Sequence, residues 1–138
     1  MTGHSRRIVS GALCGALLLF ASRWTPAHHS GVMFDHSSQK QVTGTVRNFE
    51  WTNPHVWLWI TVVDDKGAPA PYAFEGTSPG EMSRRSGWTK NTVTAGDKVT
   101  VKYFPFKDGK NGGKILAVAL PDGRTLDAAP GPGPPPPH

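Results

Sequence analysis

The sequence predicts a mainly β protein, a small five-stranded OB-like barrel with one short helix between strands 3 and 4. In two segments, residues 41–51 and 55–63, the character of the side chains alternates from one residue to the next. This period of two is typical of a half-buried β-strand. A helix start at Ser78 then separates a third strand from two later ones, and this order of elements is that of an OB barrel. A small open β-sandwich is the alternative arrangement.

The first two strands are separated by a turn. Strand 1 is predicted over residues 41–51, where Gly44 suits the sharp coil that closes a barrel. Thr52-Asn53-Pro54 is typical of a turn, and strand 2 follows over residues 55–63. Alternate positions of strand 2 are aliphatic and form its predicted core face, namely Val56, Leu58, Ile60 and Val62.

The helix is predicted from its capping residues. Strand 3 is expected over residues 71–75, and Ser78 then suits an N-cap, with Pro79 at the first helical position and Glu81 completing a capping box. Gly87 ends the helix. Two more strands follow, joined by a loop rich in glycine and lysine: strand 4 over residues 98–104, the loop over residues 107–114 and strand 5 over residues 115–120.

Both ends of the chain are predicted to lie outside this domain. Residues 1–27 have the order of a secretory signal peptide, with Arg6 and Arg7 before an apolar run and the small residue Ala27 at the boundary. The run is shorter than the ~20 residues of a membrane span. We expect a signal peptide over residues 1–27, an N-terminal arm over 28–40, the β domain over 41–126 and a disordered Pro/Gly-rich tail over 127–138.

Charge and cysteine content narrow the classes of function. The chain has 15 Lys and Arg side chains and 10 Asp and Glu side chains. Three arginines and no acidic residue precede residue 28. Residues 28–138 therefore carry 12 basic and 10 acidic side chains, a net charge of +2. So small a net charge argues against nucleic acid as a partner. The one cysteine, Cys14, lies in the predicted signal, so residues 28–138 have no thiol for a disulfide, a metal or catalysis.

The first candidate site is the face of strands 1 and 2 opposite the aliphatic one. If the two strands pair, cationic and aromatic side chains crowd one surface of the barrel, where OB folds commonly bind ligands. A contiguous aromatic patch is typical of a site for a ligand or a partner. The alternative is that residues 30–40 fold back and cover it. The predicted ligand-binding residues are Arg47, Phe49, Trp51, His55, Trp57 and Trp59.

The second candidate site is a metal site built from histidines. If the signal is cut after Ala27, His28 becomes the first residue, and its α-amine and imidazole can chelate one Cu(II), the metal that nitrogen-only ligation suits best. His29, His36 or His55 would add a further ligand to this metal. The alternative is that the N-terminal histidines bind no metal and form a mobile, solvated end of the chain. Glu50 and Asn53, close to His55 in sequence, are expected to tie the turn by hydrogen bonds rather than to catalyse. We predict no catalytic residue.

The turn region also carries a resemblance. Glu50-Trp51-Thr52-Asn53-Pro54-His55-Val56-Trp57 resembles a motif of small secreted bacterial proteins, domain-of-unknown-function family 6152. The similarity runs from about His28 to Leu126 and implies an exported domain with no established activity. Further matching stretches are His28-His29-Ser30, Glu75-Gly76-Thr77-Ser78-Pro79, Arg85-Ser86-Gly87-Trp88 and Pro121-Asp122-Gly123-Arg124-Thr125-Leu126.

These observations favour an exported binding module, periplasmic or secreted, rather than an enzyme. The aromatic and histidine face would hold a small ligand, a metal ion or an envelope protein, and no stable membrane insertion is expected once the signal is removed. Two other functions stay open: a copper-dependent redox protein using the N-terminal histidine chelate, and a structural partner in an envelope complex.

Overall fold

A computed structural model of the chain describes residues 30–128. The predicted order of three strands, a helix and two strands is confirmed, and a short sixth strand follows them. In chain order the elements are a 3-10 helix Ser30–Met33, β1 Lys40–Glu50, β2 Trp57–Val63, β3 Pro69–Glu75, α1 Pro79–Ser86, β4 Lys98–Pro105, β5 Gly112–Ala119 and β6 Thr125–Asp127.

The strands close into a barrel. β1 pairs antiparallel with β2 and with β4, β2 pairs antiparallel with β3, and β4 pairs antiparallel with β5. A short parallel pairing of β3 with β5 joins the two ends of this sheet. The prediction of a five-stranded OB-like barrel is therefore confirmed against the open sandwich. β6 pairs with β5 alone and lies outside the closed ring.

Glycines allow the backbones to meet where the barrel closes. A Cβ at Gly112 would lie 1.8 Å from the carbonyl oxygen of Ala73, and one at Gly113 would lie 1.8 Å from that of Phe104. No side chain fits in either space. A Cβ at Gly44, in β1, would lie 2.6 Å from the carbonyl oxygen of Thr61, so there is no room for a side chain at this position either.

The core contains the aliphatic face predicted for strand 2. Val56, Leu58 and Ile60 are fully buried, whereas Val62, near the end of β2, packs only partly against the core. The helix begins as predicted, since the Ser78 side chain accepts a hydrogen bond from the backbone N–H of Glu81. It ends at Gly87, whose φ of 70° is the left-handed conformation of a glycine C-cap.

The described part of the N-terminal arm packs beside β4 and β5. Phe34 is buried and bridges to Phe106, whereas Val32 and Met33 are exposed. At the other end of the fold, Asp127 belongs to β6 and the Ala128 N–H donates to the Leu116 carbonyl. The first two residues of the predicted tail are therefore part of the domain. The predicted signal peptide and the rest of the tail lie outside the described residues. No helix within residues 30–128 has the length and apolar character needed to span a bilayer.

Candidate functional site

A β-bulge in β1 changes which of its side chains share a face. Val46 pairs with Ile60, but the next paired residue of β1 is Asn48, which lies opposite Trp59. Arg47 is therefore an extra residue between two paired positions. One inserted residue moves every later side chain of a strand to the opposite face.

Phe49 and Trp51 consequently point toward the core. Phe49 pairs with the fully buried Leu58, and its ring centroid lies 5.9 Å from that of the buried Trp88. Trp51 packs on Phe49 with 5.7 Å between ring centroids, and both residues are partly buried against the core cluster. The prediction that they share a face with the two tryptophans of β2 is wrong, because the bulge interrupts the regular alternation of side chains along β1.

Trp57 and Trp59 do share the outer face of the barrel. Their ring centroids lie 5.8 Å apart with an interplanar angle of 26°, so the two indoles stack, and both residues are half-buried. Their partners on β1 are Glu50 and Asn48, which are exposed. The pair thus presents a flat apolar surface bordered by polar side chains.

An open cleft of about 300 Å³ lies at the Trp59 end of this pair. Arg47 and Pro71 line it together with Trp59, and Asn48 and Ile60 complete it. The Arg47 guanidinium is exposed and has no hydrogen-bond or ion-pair partner among residues 30–128. The name tryptophan face is used below for Arg47, Asn48, Trp57, Trp59 and Pro71.

A row of paired side chains continues from Trp57 around the outside of the barrel. Each of the five barrel strands contributes one residue, and each residue is the register partner of the next. From β1 through β2, β3 and β5 to β4, the row consists of Glu50, Trp57, Glu75, Lys114 and Phe104.

Glu75, at the centre of the row, is a buried carboxylate with two cationic or potentially cationic neighbours. Its side chain is 5% exposed, its Oε1 lies 2.7 Å from Nδ1 of His55, and the same oxygen lies 3.5 Å from Nζ of Lys114. Lys114 Nζ donates a 2.8 Å hydrogen bond to the Gly76 carbonyl. The name Glu75 cluster is used below for His55, Glu75 and Lys114.

Oε1 of Glu75 lacks a well-directed donor despite these short distances. Within residues 30–128 it has no hydrogen bond of acceptable geometry, although Nδ1 of His55 lies only 2.7 Å away. Buried polar atoms are nearly always hydrogen-bonded, and exceptions commonly mark a ligand, water or ion site.

The expected ties of His55 to Glu50 and Asn53 are not formed. Glu50 accepts instead from the Asn48 side-chain amide at 3.3 Å, and His55 contacts Glu75 on β3. Neither Glu75 nor Lys114 is among the site residues predicted from the sequence. A glutamate on the outer side of an otherwise apolar strand 3 was the one available signal, because the Lys114 contact depends on the β3–β5 pairing.

The remaining predicted metal ligands are divided between the fold and the segment before it. The His36 ring lies 4.7 Å from that of Phe104, in an edge-to-face arrangement. Residues 30–128 contain no group of three or more His, Cys, Asp or Glu side chains able to hold a metal ion. His28 and His29 lie outside the described residues, so the predicted histidine site stays a prediction.

Comparison with known proteins gives a family and no activity. The model of a family of unknown function, DUF6152, matches residues 16–115. The match begins earlier and ends earlier than the similarity expected from the motifs, and it includes the turn motif, β2, β3 and the start of β5. No curated protein and no solved structure matches the chain.

Proposed function

The chain belongs to the family of unknown function DUF6152, and we propose that it is an exported module that binds a small molecule on the tryptophan face. Export is supported by the signal-like order of residues 1–27. The observation that carries the binding function is the stacked, half-buried pair of Trp57 and Trp59 on the outside of the barrel.

The residues around the pair favour a flat ligand with an anionic group. Indole rings offer a rigid apolar surface at little cost in conformational entropy. Arg47, beside Trp59, has no partner among the described residues, and a guanidinium matches the geometry of a carboxylate or phosphate. The cleft of about 300 Å³ is at the small end of the range for ligand sites. A planar organic anion therefore fits the site best.

An envelope protein is the other class of occupant, and it would cover the same indoles over a larger area. Binding of a small anion by the isolated protein would favour the ligand site over this structural role. A copper-dependent redox activity stays an alternative function for the chain. No contact within residues 30–128 favours such an activity over the binding of a ligand.

The test uses 2-naphthoate as the probe and 2-naphthamide as its neutral counterpart. We expect naphthoate to bind and to quench tryptophan fluorescence, and naphthamide to bind at least tenfold more weakly because it lacks the charge that pairs with Arg47. Trp59→Ala and Arg47→Gln should each weaken naphthoate binding at least tenfold, measured by calorimetry. The matched control is Lys66→Gln, which removes an exposed cation from a distant turn. Equal naphthoate affinity in the wild type and Trp59→Ala would overturn the proposal.

A further inference from the structure

We propose that the ligand of the tryptophan face is an elongated zwitterion, with its anionic group at Arg47 and an ammonium group over Trp57, beside Glu50. The assignment rests on the proposed function, since the same two indoles hold the ligand. It adds a second charge to that ligand and fixes the direction in which the ligand lies.

Arg47 and Glu50 carry opposite charges at the two ends of the indole pair. Arg47 lines the cleft at the Trp59 end, whereas Glu50 is the register partner of Trp57. Both residues are exposed, and neither forms an ion pair within residues 30–128. The surface therefore has a positive end, an apolar centre and a negative end.

The spacing of the two charges sets the length of the ligand. Arg47 and Glu50 are three residues apart on β1, which corresponds to ~10 Å at ~3.3 Å per residue. The bulge places Arg47 beside Trp59, while Glu50 lies opposite Trp57. A ligand that meets both side chains must therefore carry its charges at opposite ends of a flat apolar body.

Trp57 lies between carboxylates of two neighbouring strands. Glu50 is its register partner on β1, and Glu75 is its register partner on β3. An indole attracts a cation placed over its face, within ~6 Å of the ring, more strongly than other aromatic side chains do. A hydrogen bond from an ammonium group to a carboxylate adds to this attraction. The Trp57 end of the pair thus favours a cation.

The Glu75 cluster shows which of the two carboxylates is available to the ligand. Glu75 is buried, and its charge is compensated by Lys114, whose Nζ lies 3.5 Å from Oε1, while Nδ1 of His55 lies 2.7 Å from the same oxygen. Glu50 is exposed, and its side chain accepts a 3.3 Å hydrogen bond from the uncharged amide of Asn48. The ammonium group would therefore pair with Glu50.

The residues beside Trp59 are neutral or basic, in contrast to those beside Trp57. The register partners of Trp59 are Asn48 on β1 and Ala73 on β3, and Arg47 lines the adjoining cleft. An ammonium group at this end would face the like charge of the guanidinium, which is unfavourable. The ligand is therefore bound in one direction, with its anionic group at the Trp59 end.

The test compares two probes of the same size that differ in one group. The probe 6-(aminomethyl)-2-naphthoate carries an ammonium group, and 6-(hydroxymethyl)-2-naphthoate is its counterpart without that charge. We expect the ammonium probe to bind the wild-type protein at least threefold more tightly, measured by calorimetry at low ionic strength. A cation–π contact and an exposed ion pair each contribute modestly, and added NaCl should reduce the difference.

Glu50→Gln keeps the shape of the side chain and removes its charge. It should abolish the difference between the two probes and leave the affinity for 2-naphthoate within about twofold of the wild type. Asp65→Asn is the matched control, because it removes an exposed acid from the turn at the other end of β2. The control should retain the full difference between the probes.

Equal affinities of the two probes for the wild-type protein would overturn the zwitterion, and so would an undiminished difference in Glu50→Gln. The comparison on the wild type decides the question even if Glu50→Gln does not fold. Measurement of 2-naphthoate in the same series separates the two proposals. If naphthoate does not bind, the proposed function fails, whereas naphthoate binding with no preference for the ammonium group removes the zwitterion alone.

Discussion

The indole N–H of Trp88 donates a 2.9 Å hydrogen bond to the backbone carbonyl of Asp127 and so ties the segment after α1 to β6. Trp88 is fully buried, and Ala128, the last described residue, is buried beside this strand. The bond adds to the pairing with β5 in holding this three-residue strand against the barrel. Trp88→Phe should lower the free energy of unfolding by about 0.5–1.5 kcal/mol for the lost hydrogen bond, because the Asp127 carbonyl loses this donor.

Chain truncation tests the same contact. Removal of residues 129–138 should leave the urea midpoint unchanged, whereas removal of residues 125–138 should lower it clearly. Equal midpoints for the two truncated proteins would contradict the structural role of β6.

The second prediction separates the two faces of the first hairpin. Leu58→Ala should cost about 2–5 kcal/mol, as truncations of fully buried leucines do. Trp57→Ala should cost less, because Trp57 is half-buried on the outer face. Phe49→Ala should also cost more than Trp57→Ala, since the bulge turns Phe49 toward the core. Urea denaturation measures the free energy of unfolding of all three variants. If Trp57→Ala lowers it as much as Leu58→Ala does, the Trp57 indole belongs to the core.

The third prediction concerns barrel closure. Gly112→Ala places a Cβ 1.8 Å from the Ala73 carbonyl oxygen and should separate β3 from β5. Gly109→Ala is a suitable control, because Gly109 also has a positive φ, +78°, but no atom lies within 4 Å of its added Cβ. We expect a cost of about 1–3 kcal/mol for the control, from backbone strain alone, and loss of the cooperative transition for Gly112→Ala. Similar midpoints for the two variants would show that the close approach does not matter.

The fourth prediction is a loss of stability at high pH. Burial, and to a lesser extent the neighbouring Tyr72, raises the pKa of Tyr103 above its ordinary value of 10.0. The native state therefore keeps this proton where the unfolded chain has lost it. Its contribution to stability is complete below pH 10.0 and is lost as the pH rises from there through the raised pKa. Urea unfolding between about pH 8.5 and 11 should show that the free energy of unfolding declines less steeply with pH in Tyr103→Phe than in the wild type. Identical slopes in the two proteins would contradict the role given to Tyr103.

The fifth prediction concerns export. The mature protein should be found in the periplasm or the medium, starting within one or two residues of His28, because residues 1–27 have the charge and hydropathy order of a secretory signal. Cell fractionation followed by mass spectrometry of the N-terminus measures this. Arg6→Glu with Arg7→Glu should retain the precursor in the cell, whereas Lys66→Gln should not. Full-length protein in the cytoplasm of the wild type would contradict export.

Local signals predicted much of the fold and only part of the site. The aliphatic face around Leu58 and the caps Ser78 and Gly87 depend on neighbouring residues, so they could be read from the chain. The bulge could not, because Arg47 and Asn48 are both polar and either fits an outward position. Glu75 and Lys114 are far apart in sequence and meet only through the β3–β5 pairing.

The row from Glu50 to Phe104 takes one residue from each barrel strand, and this has a consequence for how the surface can diversify. Where loops carry a binding site, exchanging a loop replaces many contacts at once. Here every member stands on a hydrogen-bonded strand whose register is fixed by its neighbours. New specificity must therefore arise by separate point substitutions on different strands, while loop lengths can vary among relatives without moving the row.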